Sequence, residues 1–352
     1  MDSKFIYGRK QGRLGLLELN RPDALHALSK EMIVFMSETL EKWRKDPEIY
    51  GVILEACGER AFCAGADVKA ISLEGQKNPE QARQFFQAEY GYNWQLHKFT
   101  KPHIALINGL VLGGGVGISL YGTHRVAGEN YRFGMPETAI GLVPDVGASW
   151  FLGHLPGSVG LYLALTGRMI GRADAFALGL VTHCIEAEHF SQIKPDISLG
   201  GPVDSLLDEL HTDPGKGELV QHQGWIEAIF SASSIEEILS RAQGLADESE
   251  GWSQKVYDEL MQKSPTSLVL TQALWKRGRR SSLRKALERE YEVVSHLLEG
   301  GDFYEGVRAM LIDKDKTPHW NPQSVAELSN ALYEELSGHV GQGLQLPDPV
   351  EA

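Results

Sequence analysis

Two carboxylates, Glu137 and Asp145, sit in a segment punctuated by glycine and proline, Met135-Pro-Glu-Thr-Ala-Ile-Gly-Leu-Val-Pro-Asp-Val-Gly147. Acids in such a segment can be fixed by the backbone instead of swinging from a helix surface, as paired acid–base work requires. Upstream run Gly109-Leu-Val-Leu-Gly-Gly-Gly-Val-Gly117 and Phe62-Cys-Ala-Gly-Ala-Asp67, two loops whose small residues let backbone N–H groups approach a ligand closely. Convergent N–H donors could hold an oxyanion while the acids transfer a proton or attack a carbonyl, so the pattern suits acyl chemistry.

Each of these residues also has a plain reading. Pro136-Glu137-Thr resembles a helix start, where an acid favours the macrodipole, and Asp145 after Pro144 is a good turn former. Glu89 falls on an amphipathic helix pattern and reads by itself as a surface carboxylate, and a glycine triplet serves tight packing as readily as ligand approach. Residues alone leave Glu137 and Asp145 open between structure and catalysis.

The elements that must carry these residues favour the chemical reading. Gly51-Val-Ile-Leu-Glu-Ala56 is strand-like and leads into the first loop; His103-Ile-Ala-Leu-Ile-Asn108 is strand-like and leads into the second. A helix can begin after Gly115, which would put the Gly113–Gly115 N–H groups at its positive end. Residues 5–19 read as a hairpin, and Met32, Ile33, Met36, Leu40 and Trp43 share one helical face after Ser29 as N-cap, with Pro47 as the stop. Residues 79–98 carry a helical pattern and 124–133 a strand-like one.

Composition sets the outer bounds. A chain of 352 residues with 42% hydrophobic content can bury a genuine core. A net charge of −13 argues against general nucleic-acid binding, which needs a dominant basic face. No apolar run approaches the roughly twenty residues that span a bilayer, so no membrane partner is expected. Cys57, Cys63 and Cys184 lack metal-type spacing, and no metal site is expected. The N-terminal residues carry neither a long apolar signal nor an Arg-rich transit pattern, which gives a cytoplasmic expectation.

Other reactive residue types carry less. His26, His103 and His183 have no serine or cysteine in an elbow motif, and Cys63 among small apolar neighbours reads as a packed thiol. The cluster Lys276-Arg-Gly-Arg-Arg280 reads as a solvated helix end before a phosphate contact.

Leu19-Asn-Arg-Pro22, the Phe62–Asp67 loop and Ile107-Asn-Gly-Leu-Val-Leu-Gly-Gly-Gly115 resemble, in order and spacing, the enoyl-CoA hydratase (crotonase) superfamily over the first 190 residues. Phe85-Phe-Gln-Ala-Glu-Tyr90, the Met135–Gly147 segment and Gly301-Asp-Phe-Tyr-Glu-Gly-Val-Arg-Ala-Met-Leu-Ile-Asp-Lys-Asp315 are similar to a hydrolase branch of it, nearly to the end of the chain. The resemblance implies an α/β fold, a spiral of ββα units with a C-terminal helical region. It also implies a bent acyl-CoA substrate whose thioester carbonyl meets the N–H groups of Ala66 and Gly114. Glu137 and Asp145 would be catalytic, Glu89 and Asp67 would be further substrate contacts, and no cofactor beyond the CoA of the substrate is called for.

In the hydratases of this superfamily a first glutamate follows the glycine triplet, at the position of Gly117, and Glu137 matches the second. The resemblance therefore implies thioester hydrolysis of a short 3-hydroxyacyl-CoA, 3-hydroxyisobutyryl-CoA foremost, in valine breakdown. Enoyl-CoA hydration or isomerisation, and acyl-CoA binding without catalysis, are the alternatives. Expected domains are a core at 1–190, a variable connection at 191–250, a helical region at 251–338 and a flexible tail at 339–352. The C-terminal helices could serve homo-oligomer contacts or fold over their own active site.

Overall fold

In the computed structural model, which describes residues 2–329, 331–336 and 343–346, the hairpin forms first in the chain: Ile6–Gln11 pairs antiparallel with Leu14–Leu19. Leu14–Leu19 then pairs in parallel with Gly51–Ala56, which pairs with His103–Ile107, then His124–Ala127 and His183–Cys184. Near-continuous apolar runs such as Val52-Ile-Leu54 suit these central strands because both faces are covered.

A second, smaller sheet gives the fold its spiral. Gly51–Ala56, His103–Ile107 and His124–Ala127 are each followed by a short strand, at Ala61–Cys63, Leu110–Leu112 and Arg132–Gly134, and these three pair in parallel with one another. The chain thus steps repeatedly from one sheet to the other before entering a helix or turn. This is the expected crotonase-type α/β spiral, and each crossing leaves a tight loop at the same end of the molecule.

Helices close both sides. Lys30–Lys45 starts at Ser29, whose hydroxyl accepts the Met32 N–H, and ends before Pro47. Phe190–Ser198 and Val203–Leu210 lay Ile193, Ile197, Val203 and Leu207 against Leu14, Leu16, Ile53, Ile104 and Val126. The segment 191–250, expected as a variable connection, is therefore largely helical, with further helices at Gln223–Phe230 and Ile235–Gly244. These helices span two to three turns each, too short for periodicity to stand out, and tertiary burial stabilises them.

Trp252–Met261, Pro265–Gly278 and Leu283–Leu297 complete a C-terminal layer that folds over the chain's own Glu137–Phe151 region. The Ser264 N–H donates to the Thr138 carbonyl, and a Cβ on Gly278 would overlap the Ser149 carbonyl. The last part of the expected helical region 251–338 is only partly helical, at Asp302–Val307, a π turn at Arg308–Ile312 and Leu332–Leu336. Between them Arg308 gathers Glu305, Asp313 and Asp315, and Lys314 and Lys316 take left-handed φ, which no helix tolerates. Of the expected tail at 339–352, residues 339–342 and 347–352 lie outside the described residues, while Leu344 and Leu346 are buried.

Candidate active site

The two glycine loops meet backbone to backbone. Ala66 forms an isolated parallel bridge with Leu28, whose hydrogen bonds run through the Gly65 carbonyl and the Asp67 N–H and leave the Ala66 N–H outside the ladder. Gly114 opens the helix Gly114–Leu120, and its N–H is one of the first-turn donors without an intrahelical acceptor. A Cβ on Gly65, at φ +93°, would stand 3.2 Å from Gly114 N, and one on Gly114 would stand 3.3 Å from Ala66 N. The two proposed oxyanion donors are thus neighbours, at a helix N-terminus that adds its own positive field.

Two glutamates flank the Gly113–Gly114 peptide. Glu137 begins the short turn Glu137–Ile140 and brings Oε1 within 2.5 Å of where a Gly113 Cβ would be. Glu89 comes from the helix Pro79–His97, and its carboxylate occupies the space that a Gly114 side chain would take. Asp145 enters from the turn that follows Pro144. Glu89, Glu137 and Asp145 are 1%, 7% and 4% exposed, so all three carboxylates are held away from bulk water.

Burial and mutual repulsion shape their ionisation. Burial raises Glu89 well above the ordinary carboxylate range, and the charges of Asp145 and Glu137 add to it. Burial and then Asp145 raise Glu137 in the same direction. Asp145 is pushed by burial only to about 6, because the Tyr90 hydroxyl donates to its Oδ2 at 2.6 Å and favours the charged form. The environments separate the acids, with Asp145 ionising most readily. Glu89 Oε1 and Glu137 Oε2 have no hydrogen-bond partner among the described residues, so each has capacity for a ligand.

The turn carrying Asp145 is itself unusual. Ala148 N–H donates to the Asp145 carbonyl across Val146 at φ +52° and Gly147 at φ +86°. A β-branched residue in the left-handed region is strained by about 1–3 kcal/mol and persists only where its surroundings over-determine it. Here Tyr121 donates to the Val146 carbonyl at 2.5 Å, while the Gly147 N–H donates to Glu290 Oε2 at 2.6 Å. Tyr90, Tyr121 and Glu290 are site residues to which motif and spacing assign no role. A signal existed for Glu290: it falls at helical spacing with Leu283, Leu287, Val294 and Leu297, a charge inside an apolar stripe.

Position 117 is sterically closed. A Cβ on Gly117 would stand 2.7 Å from Asn93 Nδ2 and 2.9 Å from Val146 Cβ. Asn93 is fully buried with neither amide atom partnered among the described residues, and it lies one helical turn beyond Glu89.

Other singled-out residues lie apart from this group or are engaged elsewhere. The Asp67 carboxylate pairs with Arg21 at 2.8 Å and accepts the Ala70 N–H as cap of the helix Val68–Gly75. The Cys63 thiol is fully buried, points at the His26 carbonyl and is pushed up to about 12 by burial. His26 bridges the Arg21 N–H and the Cys57 carbonyl, and His183 meets Thr182 and Asp208. Lys276 donates to the Ser233 carbonyl, and Arg277 pairs with Glu334 over the Tyr333 ring.

Residues 14–336 match the family described as enoyl-CoA hydratase/isomerase. The chain is 40% identical to the 3-hydroxyisobutyryl-CoA hydrolase, mitochondrial, of Danio rerio over 93% of its length and 87% of that protein. Against the proteins of the same name from Xenopus tropicalis and Homo sapiens the identities are 41% and 38%, covering 91% and 94% of this chain and 85% and 86% of theirs. Among solved structures, a carnitinyl-CoA dehydratase from Mycobacterium thermoresistibile superposes with a TM-score of 0.92 at 31% identity, over 97% of this chain and 99% of that one. An enoyl-CoA hydratase from Rhodobacter sphaeroides gives 0.89 at 31% identity, with the same coverage. The mitochondrial names of the relatives overturn the cytoplasmic expectation. A cellular address is read by import machinery, and neither the fold nor the chemistry of the site encodes it.

Proposed function

The chain belongs to the enoyl-CoA hydratase/isomerase family, and from that premise we propose that it hydrolyses 3-hydroxyisobutyryl-CoA to the free hydroxy acid and CoA. One observation carries the choice within the family: two buried carboxylates, Glu89 and Glu137, flank the Gly113–Gly114 peptide, with the buried Asp145 near enough for its charge to act on both, while position 117 is a glycine with no room for an acid. Addition of water across a double bond by an acid at 117 working with Glu137 has no counterpart here. Hydrolysis needs only one carboxylate at the carbonyl, and the approach of Glu137 to Gly113 supports giving it that role.

The thioester oxygen would sit between the Ala66 and Gly114 N–H groups, which stabilise the charge as it develops. Glu137 then acts at the carbonyl carbon, by taking a proton from the attacking water or by attacking directly to give a mixed anhydride that water opens. Both routes consume one water, break the C–S bond and release CoA as its thiol. Asp145, oriented by Tyr90, accepts the 3-hydroxyl of the substrate, and Glu89 is a further substrate contact. Asp67 and the backbone near it lie along the CoA channel, with the Asp67 carboxylate itself committed to Arg21 and Ala70. We place the reaction in valine breakdown.

The test is thiol release from a panel of acyl-CoAs. 3-Hydroxyisobutyryl-CoA should give free CoA faster than isobutyryl-CoA, because a site built to bond a hydroxyl discriminates through that bond. Hydration of crotonyl-CoA without any thiol release would replace this reading with the hydratase activity that the name of the Rhodobacter sphaeroides structure carries.

A further inference from the structure

Glu290 is a fully buried acid of the C-terminal helix Leu283–Leu297, and the proposed reaction makes no use of it. Its carboxylate accepts three hydrogens from one short stretch of backbone and side chain. Gly147 N–H donates to Oε2 at 2.6 Å, and Ser149 N–H and Oγ–H donate to Oε1 at 2.8 and 2.5 Å. Burying a carboxylate is costly, and burial pushes this one up to about 8 against the hydrogens donated by Ser149 and Gly147. An apolar residue would fill the same place in the helix without that cost. What the acid does in return is hold the Asp145 turn.

That turn needs holding. Val146 at φ +52° is strained, and Gly147 admits no side chain, because a Cβ there would overlap the Tyr121 hydroxyl and approach Leu283 Cδ1 to 2.6 Å. Glu290 fixes the turn from its C-terminal side, as Tyr121 fixes it at the Val146 carbonyl. The next residue of the same helix reaches Asp145 from the other direction: the Tyr291 ring packs edge-on against Tyr90, centroids 6.1 Å apart, and Tyr90 donates to Asp145. Two consecutive residues of one helix thus brace the backbone and the hydrogen-bond donor of the same acid.

We propose that Glu290 is a positioning residue for Asp145, through which the C-terminal helical layer sets the geometry of the active site. The proposal rests on the reading of Asp145 as a working acid. Glu290 touches no reacting atom; it acts by keeping the Asp145 carboxylate where the substrate meets it. Glu290→Gln keeps the shape but turns one acceptor into a donor that faces Gly147 or Ser149 hydrogens.

The experiment is a double-mutant cycle on 3-hydroxyisobutyryl-CoA, with Glu290→Gln, Asp145→Asn and the pair, each checked for the parent's circular dichroism. Glu290→Gln should lower kcat roughly 10- to 100-fold with KM within about threefold, the scale on which a small misplacement costs rate. In the Asp145→Asn background the same change should cost less than about threefold, because the group it positions is already gone. A folded Glu290→Gln with the parent's kcat, or an equal loss in both backgrounds, would overturn the proposal and leave Asp145 untouched. Asp145→Asn at the parent's kcat would overturn the underlying reading of Asp145, and the proposal with it. If Glu290→Gln does not fold, Ser149→Ala decides the matter, since it removes one donor and leaves the carboxylate in place. A loss in kcat that vanishes in the Asp145→Asn background supports positioning, and an unchanged or additive effect overturns it.

Discussion

The Tyr90 hydroxyl donates to Asp145 Oδ2 at 2.6 Å, both groups buried, and this bond links the helix that carries Glu89 to the turn that follows Glu137. Burial drives the phenol's own ionisation well above its ordinary range, so Tyr90 remains a donor wherever the enzyme works. Donation to the charged form is what holds Asp145 near 6 while its neighbours rise further.

Removing that donor should shift the pH dependence in a definite direction. In Tyr90→Phe the Asp145 carboxylate loses the bond that favours its charge, so the acid limb of kcat/KM should move to higher pH. Stability should fall by roughly 1.5–3 kcal/mol, the scale of a hydrogen bond to a charged group. A pH–rate profile superimposable on the parent's would dissociate Asp145 from that limb.

Glu137→Gln nearly preserves shape while removing the basic or nucleophilic carboxylate. Single-substrate kinetics on 3-hydroxyisobutyryl-CoA should show kcat reduced roughly 10²- to 10⁴-fold, the range for a positioned acid–base group. Turnover equal to the parent's would assign Glu137 to turn structure.

Gly114→Ala should abolish turnover at normal folding, because its Cβ would enter the space of the Glu89 carboxylate and crowd the Ala66 N–H. Gly117→Glu should fail to create hydratase activity on crotonyl-CoA. Its Cβ meets Asn93 and Val146, and overpacking of this kind costs about 1–3 kcal/mol in chemical denaturation. A gain of hydration would show that the fold can open at 117.

Asp145 should also appear in stability against pH. Its folded value, about 6, lies above the 3.8 of an unperturbed aspartate, so the folded protein binds more protons across that window. Stability contributed at low pH is therefore lost as pH rises through about 6. The melting temperature of Asp145→Asn relative to the parent should climb from below about pH 4 to above about pH 7 and then level. A difference that is flat across the range would mean Asp145 ionises in place without penalty.

Cys63→Ser should keep most activity, since the buried thiol donates to the His26 and Gly65 carbonyls and a hydroxyl can do the same. Loss of kcat in a fully folded variant would reopen thiol chemistry at the first loop.

Much of this protein is local and hence legible in the chain. The hairpin at 6–19, the Ser29 cap, the apolar strands that run into the glycine loops and a helix opening at the glycine triplet follow from periodicity, turn chemistry and the absence of side chains. Those same signals put Ala66 and Gly114 at strand-to-loop junctions and Glu137 and Asp145 in a constrained segment. Resemblance of the motifs then supplied the chemistry.

What only tertiary structure decided is which distant groups complete the site. Glu290 lies 143 residues from Gly147 and Tyr90 lies 55 from Asp145, and no local pattern encodes either meeting. Periodicity tells which face of a helix is buried but not against what, so Glu290 could be marked only as a charge in an apolar stripe. The helices between 191 and 250 escaped because each is short and takes its stability from the surface it covers. Whether the C-terminal layer would meet another copy or its own active site was likewise a question of packing. Close approach of Gly278 to the Ser149 carbonyl, of Gly306 to Ile140 and of Gly141 to the Asp302 backbone lays the C-terminal layer on the chain's own Glu137–Phe151 region. Side chains at those glycines would have held the layer off, and the Asp145 turn would have lost its support.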